Sequence, residues 1–229
     1  MADIEIETSD GTIDAVLAVP GGTGPWPGVV LIHDGIGLRN DHRKIIEDIA
    51  GHGYLVIAPN LFARGGLVRC IRRVFSDLQA HKGQAVDDIL AARDALRARE
   101  DCTGKVGIAG FCLGGGFALL VSPKGFDASA PFYPSIQSSH YESILDDACP
   151  IVSSHGGRDP IFGTKAAAKL EAALTARGVA HDVKVYDGAG HSFADVRNPI
   201  LQVTGLGYNE QAAEDAWARV YAFFETHLA

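Results

Sequence analysis

The feature that most constrains the fold is a cysteine between glycines, at the point where a strand pattern gives way to a helix pattern. Residues 105–109 have the apolar character of a short buried strand, and residues 115–121 begin an apolar helix. Between them lies Gly110-Phe111-Cys112-Leu113-Gly114, which has the glycine–x–nucleophile–x–glycine form of a nucleophile elbow. A sharp strand-to-helix turn leaves no room for a Cβ beside the turn residue, so small flanking residues are required. The pattern predicts that Cys112 occupies such a turn.

Two interpretations of Cys112 follow from the pentapeptide alone. In the first, the turn exposes the sulfur above the sheet and aims the helix N-terminus at it, which favours a nucleophilic thiolate. In the second, Cys112 is a buried structural thiol beside a glycine-rich helix start, because free cysteine is commonly a core residue. The choice depends on which other residues the fold brings to the same place.

Composition indicates one globular domain and argues against several classes of protein. Of the 229 residues 47% are hydrophobic and 21% are charged, which is typical of a globular chain with one substantial core. The net charge of −8 argues against a nucleic acid as the main partner, because phosphate binding requires a basic face. No segment approaches the length of a membrane span, and residues 1–5 lack the character of a signal peptide. We therefore expect a single domain over residues 1–229, a cytoplasmic location, no membrane partner, and a monomer or small homo-oligomer.

The cysteine spacing does not indicate a metal site or a disulfide framework. Cys70, Cys102, Cys112 and Cys149 form no C-x-x-C motif, which argues against a zinc site and a thioredoxin-type pair. Four cysteines in a chain of this size also differ from the dense pattern of a disulfide-stapled domain. We expect neither a metal nor a cofactor, and we interpret Cys70, Cys102 and Cys149 as structural thiols.

Strand-like and helix-like patterns alternate along the chain, which predicts an α/β fold with a mostly parallel sheet covered on both faces. A hairpin is expected around Asp10-Gly11, and a continuous β-branched run at residues 28–32 predicts a central strand. Further strands are predicted at 54–58, 105–109, 128–133, 149–154 and 181–186, and helices at 41–52, 84–100, 115–121, 164–177 and 210–227.

Two loops farther along the chain carry the side chains that a nucleophilic thiol requires. Asp159 follows the predicted strand at 149–154, and His191 lies in the glycine-rich loop after the last predicted strand. Catalytic groups of a parallel sheet gather at the carboxyl ends of its strands, and the order nucleophile, acid, histidine is that of an α/β-hydrolase. Asp159 could instead only form a turn, His191 could be an ordinary surface histidine, and Asp187 could compete as the acid. Three such features at the expected positions favour the catalytic interpretation.

An oxyanion hole requires two converging N–H donors. The first is expected from Leu113, directly after the nucleophile, and the second from the loop after the strand at 28–32. Gly35 is the candidate in that loop, because glycine lets the backbone approach a substrate oxygen closely. The alternative is that this loop only turns toward the next helix.

Several short motifs occur together in this chain. They are the pentapeptide with the following Gly115, the run Gly190-His191-Ser192-Phe193, the turn at Asp159, and residues 54–64. Together these motifs resemble the dienelactone hydrolase family, over a length that extends from about residue 29 to the last predicted helix. Each motif is weak alone, and the set is specific in combination.

The resemblance implies both a fold and a reaction. The implied fold is an α/β-hydrolase with about seven to eight strands in a mostly parallel central sheet, helices on both faces and no large lid domain. The implied site is a triad of Cys112, His191 and Asp159 that hydrolyses lactones or esters through a thioester acyl-enzyme. Because a thiolate is readily expelled again, activated (enol) esters and lactones with a stabilised leaving group are the expected small-molecule substrates.

The resemblance also implies roles for residues around the thiol. The family has a glutamate, after the first central strand, that holds the resting thiol. Asp34 matches that position but is one methylene shorter, so it either gates the thiol or only shapes the loop. Ile36, Ser192 and Phe193 are candidates for substrate binding.

The chain departs from the family at the position that binds a substrate carboxylate. Dienelactone-cleaving members place an arginine just after the His-Ser-Phe-Ala run, where this chain has Asp195. Arg197 could substitute for it, and the cluster of Arg69, Arg72 and Arg73 could supply a second cation. The alternative for that cluster is a solvated helix face. Dienelactone itself is therefore not the substrate we expect.

Two rival functions use the same residues differently. A binding protein without turnover would keep the fold, but it would not need the set of Cys112, Asp159 and His191. A redox sensor would use Cys112 as an oxidisable thiol, with Cys70 as a partner only if the fold brings it close.

Overall fold

The computed structural model describes residues 1–194 and 207–229, and the apolar runs of the sequence form its strands. They join in one eight-stranded sheet of order β1-β2-β4-β3-β5-β6-β7-β8. The strands are β1 (Ala2–Thr8), β2 (Gly11–Ala18), β3 (Trp26–Ile32), β4 (Leu55–Pro59), β5 (Cys102–Phe111), β6 (Ala128–Phe132), β7 (Ile151–Gly156) and β8 (His181–Tyr186).

The sheet is antiparallel only at one edge. β1 pairs antiparallel with β2 and β2 with β4, whereas the pairs from β4 through β8 are parallel. Strands buried on both faces need apolar residues at every position. Residues 29–32 of β3 and 55–58 of β4 meet this need, since each is 2% exposed or less. The predicted α/β fold with a mostly parallel sheet of seven to eight strands is confirmed.

Helices cover both faces of the sheet over two apolar clusters. One face carries α2, α3, α4 and α6, and the other carries α1 and α7. The helices are α1 (Asn40–Gly51), α2 (Gly66–Ala80), α3 (Gln84–Arg97), α4 (Leu113–Leu120), α5 (Tyr141–Ile144), α6 (Thr164–Ala176) and α7 (Glu210–Leu228), with a short 3₁₀ turn at Ser138–His140. In the part of the chain that the structure describes, none of them is long and apolar enough to cross a membrane.

Helix α2 was not predicted from the sequence. Its buried residues Cys70, Val74 and Leu78 recur every four positions, so the helical period is present in the chain. The segment begins at a pair of glycines, and three arginines lie among its apolar residues, so its amphipathic pattern is less distinct. Arg69 and Arg72 lie on its exposed side. For these two residues the structure agrees with the alternative, a solvated helix face.

Candidate active site

Cys112 forms the turn between β5 and α4 with an unusual backbone conformation. Its φ of +52° and ψ of −111° lie outside the regions that non-glycine residues normally adopt. The neighbouring strand and the helix hold this turn by hydrogen bonds. The Cys112 N–H donates to Phe132 O (3.1 Å), and Cys112 O accepts from the N–H groups of Ser135 (2.9 Å) and Gly116 (3.0 Å). The sulfur is thus fixed at the carboxyl edge of the sheet, half-buried.

The glycines of the elbow let two segments of backbone touch. A Cβ added at Gly110 would lie 2.3 Å from Gly114 O, and one added at Gly114 would lie 2.4 Å from Ile32 O. Both distances are below any ordinary carbon–oxygen contact. The N-terminus of α4 therefore packs directly on the end of β3, and only glycine fits at the contact.

The oxyanion candidates lie on the two sides of this contact. α4 begins at Leu113, and the first N–H groups of a helix have no acceptor inside it, so they point toward the preceding turn. Gly35 lies in the loop after β3, the parallel neighbour of β5, and a Cβ there would meet nothing within 4 Å. The space beside the Gly35 backbone, where a Cβ would lie, is open.

His33 holds the loop that carries Gly35. The Leu61 N–H donates to His33 Nε2 (3.1 Å), so the ring proton lies on Nδ1, which donates to Asp34 O (2.7 Å). Burial lowers the pKa of His33 to about 4, so the ring stays neutral at neutral pH and can make both bonds. The imidazole thereby ties the loop after β3 to the loop after β4.

The carboxylate of Asp34 is engaged within its own loop. Its Oδ1 accepts from the Ile36 N–H (2.8 Å), and Arg39 forms an ion pair with it at 3.2 Å. Gly35 lies between the two residues that this hydrogen bond joins, so Asp34 helps to fix the backbone there. These contacts agree with the loop-shaping alternative, and the predicted gating of the Cys112 thiol by Asp34 stays a prediction.

Asp159 and His191 lie on the loops after β7 and β8, which approach each other closely. A Cβ added at Gly156 would lie 2.3 Å from Gly190 O, so these loops meet backbone to backbone. The close approach places His191 Nδ1 at 2.5 Å from Asp159 Oδ2. The structure therefore brings the predicted acid and the predicted base into direct contact.

Asp159 is oriented by two backbone donors as well as by the histidine. Its Oδ1 accepts from the N–H groups of Ile161 (2.9 Å) and Phe162 (3.0 Å), which leaves Oδ2 for His191. Burial raises the pKa of Asp159, but the bonds from His191 and from the two N–H groups outweigh it and hold the pKa below its ordinary value of 3.8. Asp159 is therefore an ionised acceptor at neutral pH.

His191 is favoured as an imidazolium. Burial lowers its pKa, but the hydrogen bond with Asp159 and the interaction with the Cys112 side chain raise it more, to about 9. The ring is held on one side by the carboxylate at Nδ1 and turns Nε2 toward the sulfur side of the site. A positive ring in this place favours negative charge on the Cys112 sulfur.

Ser135 is a site residue that was not predicted from the sequence. Its Oγ lies 3.1 Å from Cys112 Sγ and 3.4 Å from His191 Nε2, so the hydroxyl is within hydrogen-bonding distance of both the thiol and the imidazole. Ser135 follows β6, which is the parallel neighbour of β5. The only signal in the sequence was a polar residue just after a predicted strand.

The three candidates for substrate binding differ in how far their side chains are exposed. Ile36 is 48% exposed beside Gly35, and Ser192 is half-buried beside His191. Phe193 is wholly buried, with its ring centroid 5.4 Å from that of Tyr133, so it supports the histidine loop from the core.

Among the cationic candidates, Arg69, Arg72 and Arg73 lie on α2 in different environments. Arg69 and Arg72 are exposed. Arg73 is half-buried, and its charge works to lower the pKa of Asp88 in α3, against the burial that raises it. Asp195 and Arg197 lie outside the described residues. Within residues 1–194 and 207–229, no group of three or more His, Cys, Asp or Glu side chains is placed to hold a metal ion.

The sequence of this chain is similar to those of known hydrolases. The model of a family described as the dienelactone hydrolase family matches residues 13–228. Carboxymethylenebutenolidase of Rhodococcus opacus is 30% identical over 225 residues, which cover 90% of this chain and 83% of the relative. Carboxymethylenebutenolidase of Pseudomonas putida is 27% identical over 202 residues, covering 83% of this chain and 85% of the relative.

A solved structure agrees in fold. A dienelactone hydrolase-like promiscuous phosphotriesterase from metagenomic libraries aligns with a TM-score of 0.83, covering 100% of this chain and 99% of that chain. Its sequence identity is 22%, so it shows the likeness of the two folds alone.

Replacing Gly114 with alanine tests the backbone contact at the elbow. Alanine normally stabilises a helix relative to glycine by about 1 kcal/mol. Here the new Cβ would meet backbone oxygen at 2.4 Å, so we expect Gly114→Ala to lower the free energy of unfolding by about 1–3 kcal/mol. Gly51→Ala is the matched control, since a Cβ at that helical position meets nothing within 4 Å. Urea denaturation measures both, and equal stability of the two variants would contradict the packing described.

The titration of His191 tests the contact with Asp159. In ¹³C-histidine NMR spectra we expect His191 to lose its proton with a midpoint near 9, because its charged form is stabilised in the folded protein. Asp159→Asn removes the carboxylate charge and should lower the midpoint by one unit or more. Asp187→Asn, on the exposed start of the same loop, should leave it in place. A wild-type midpoint at or below 6.5 would contradict the assignment.

Proposed function

The chain belongs to the dienelactone hydrolase family and is a hydrolase of carboxylic ester bonds, and on that premise we propose that it cleaves lactones or activated (enol) esters through a thioester on Cys112. One observation carries the proposal. At the carboxyl edge of the sheet, the imidazole of His191 interacts with the Cys112 side chain and with the carboxylate of Asp159. The distance from His191 Nδ1 to Asp159 Oδ2 is 2.5 Å. This is the arrangement that nucleophilic acyl transfer requires.

Acylation begins from a thiolate beside the imidazolium. The Cys112 sulfur attacks the carbonyl carbon, so a carbon–sulfur bond forms and the carbonyl π electrons move onto oxygen. The N–H groups of Leu113 and Gly35 stabilise this oxyanion. When the intermediate collapses, the bond to the leaving oxygen breaks, and His191 gives its Nε2 proton to the departing enolate or alkoxide.

Deacylation uses the histidine in the opposite sense. The neutral ring of His191 takes a proton from water at Nε2, and the resulting hydroxide attacks the thioester carbonyl. Collapse of the second intermediate expels the Cys112 thiolate and releases the acid. Asp159 accepts the Nδ1–H throughout, which keeps Nε2 directed at the reacting atoms and stabilises the imidazolium.

The thiol limits the substrates to those with a good leaving group. In the tetrahedral intermediate of an ordinary alkyl ester, sulfur is a better leaving group than the alkoxide, so the intermediate reverts. An enolate, a phenolate or the opened oxygen of a conjugated lactone competes with sulfur successfully. We therefore expect activated esters and lactones to react fastest.

The surroundings of the triad favour neutral substrates. The loops that carry Gly35 and Asp159 each expose a large aliphatic side chain, Ile36 at 48% and Ile161 at 71%. Arg39, the cation nearest to Gly35 along the chain, is paired with Asp34. An apolar rim and a net charge of −8 both disfavour an anionic substrate.

The rival function as a redox sensor has less support. Cys70 lies on the buried side of α2, and its Sγ is 3.7 Å from Phe62 O in the apolar cluster on that face. Cys149 is also buried, and burial raises the pKa of its thiol to about 12. Neither environment favours a reactive resolving thiol.

A kinetic panel tests the function. The substrates are an enol ester, an alkyl ester, a neutral unsaturated lactone and the same lactone bearing a carboxylate. We expect the enol ester and the neutral lactone to show the highest kcat/KM, and the carboxylate to lower it by tenfold or more. Cys112→Ala should reduce turnover by about 10³-fold or more, because the nucleophile is lost. Cys102→Ala, which removes another half-exposed thiol, is the matched control. Undiminished esterase activity in Cys112→Ala would overturn the proposal.

A further inference from the structure

We propose that the buried His155 is a positioning residue of the active site, which holds Phe162 and through it orients Asp159 and His191. The inference rests on the proposed function, because it concerns how the acid and the base of that reaction are held. His155 lies near the end of β7 with no exposed surface, and the proposed mechanism gives it no role. Its imidazole bonds to Phe162, near the end of the loop (residues 157–163) that carries Asp159.

Both ring nitrogens of His155 have a partner inside the protein. Nδ1 is 2.8 Å from Phe162 O, and a carbonyl oxygen only accepts, so Nδ1 carries the ring proton and donates it. Nε2 therefore accepts. Its donor is the Ser153 hydroxyl, which lies 2.9 Å from Nε2 and 3.2 Å from its other acceptor, Pro131 O. Burial lowers the pKa of His155 to about 4, so the ring stays neutral at neutral pH and can make both bonds.

Phe162 contacts both members of the acid–base pair. Its N–H donates to Asp159 Oδ1 (3.0 Å), on the carboxylate whose other oxygen bonds to His191. Its ring centroid lies 5.7 Å from that of the His191 imidazole. Because His155 bonds to the carbonyl of the same residue, one hydrogen bond from the core restrains the residue that contacts both Asp159 and His191.

The tip of this loop is open to solvent. Ile161, which lies between Asp159 and Phe162, is 71% exposed, and a segment so exposed has few packing contacts to fix it. The Asp159 N–H donates to Gly156 O (3.1 Å), which fixes the start of the loop. The ring of His155 fixes Phe162 from the core, and so it opposes displacement of the Phe162 N–H from the carboxylate.

The orientation of the pair affects both steps of the proposed reaction. His191 gives a proton at Nε2 in acylation and takes one there in deacylation, and Asp159 directs the ring in each step. A misplacement of about 1 Å at a catalytic group can slow a reaction about 100-fold. We therefore expect loss of the His155 bond to slow turnover while leaving substrate binding nearly unchanged.

The tautomer of His155 in the wild-type protein tests the contact without any variant. Long-range ¹H–¹⁵N NMR of ¹⁵N-histidine-labelled protein distinguishes an Nδ1–H ring from an Nε2–H ring and from an imidazolium. At neutral pH we expect a neutral Nδ1–H ring for His155, as the bond to Phe162 O requires. An Nε2–H tautomer or an imidazolium would overturn the inference.

Variants test whether the contact acts on the catalytic pair. His155→Leu removes the donor to Phe162 O, and we expect it to lower kcat for a neutral enol ester by about 10- to 100-fold, with KM within about twofold. The far-downfield ¹H signal of His191 Nδ1–H, which reports the bond to Asp159, should move upfield or disappear. His155→Asn places an amide N–H where Nδ1 lies, so it should restore most of the rate and the signal.

Ser122→Ala is the matched control for lost stability. Its wholly buried hydroxyl donates to a backbone carbonyl, Leu119 O (2.7 Å), on a different segment of the chain. This variant should lower the free energy of unfolding in urea and keep the kcat and the His191 signal of the wild type. A His155→Leu enzyme with wild-type kcat and an unshifted signal would contradict the positioning role. A loss that His155→Asn does not restore would contradict it too, because the side chain would then matter only for packing.

The Cys112→Ala enzyme distinguishes failure of this inference from failure of the function. If Cys112→Ala retains full turnover, the thioester mechanism fails, whereas the NMR measurements still decide whether His155 holds the pair. If Cys112→Ala is inactive while His155→Leu matches the wild type in kcat and in the His191 signal, the thioester mechanism stands and only the positioning role is wrong.

Discussion

The direct packing of the α4 backbone on the ends of β3 and β5 is the contact on which the site depends. Because no side chain separates Gly114 from Ile32 O, the helix N-terminus, the loop after β3 and the thiol lie close together. Cys112, which directly precedes this helix, has an unusual backbone conformation with a φ of +52°. Two hydrogen bonds hold this conformation: the Cys112 N–H donates to Phe132 O and the Ser135 N–H donates to Cys112 O, at and just beyond the end of the adjoining strand β6.

The charges of Asp159 and His191 depend on their hydrogen bonds and on their partial burial. Asp159 is kept ionised by backbone donors, and it in turn holds His191 as an imidazolium at neutral pH. Elsewhere in the fold, burial keeps two histidine rings neutral. His33 and His155 are neutral because each is desolvated without a carboxylate bonded to its ring, and burial lowers the pKa of each to about 4. His33 holds its loop through Leu61 and Asp34, and His155 bonds to Phe162 O, whereas the ring of His191 is bonded to a carboxylate.

The sequence predicted those features that depend on local pattern. The apolar runs predicted the strands. Asp159 and His191 were predicted on the loops after two of these strands, and in the structure the two side chains are in contact. Features set by strand order were not predicted. Ser135 reaches the thiol because β6 lies beside β5, and no spacing in the chain records that neighbour relation. The pairing of Asp34 with Arg39 depends likewise on how the loop turns, although α2 could have been found from the four-residue period of its buried side chains.

In the proposed mechanism, the acyl group of the substrate passes through the Cys112 sulfur. Acid-quenched peptide mapping by mass spectrometry, during turnover of a saturating p-nitrophenyl ester, tests it most directly. We expect a burst of p-nitrophenol and an acyl adduct on the peptide that contains Cys112. An acyl group found on Ser135 or on any other residue, or unmodified protein with no burst throughout turnover, would contradict it.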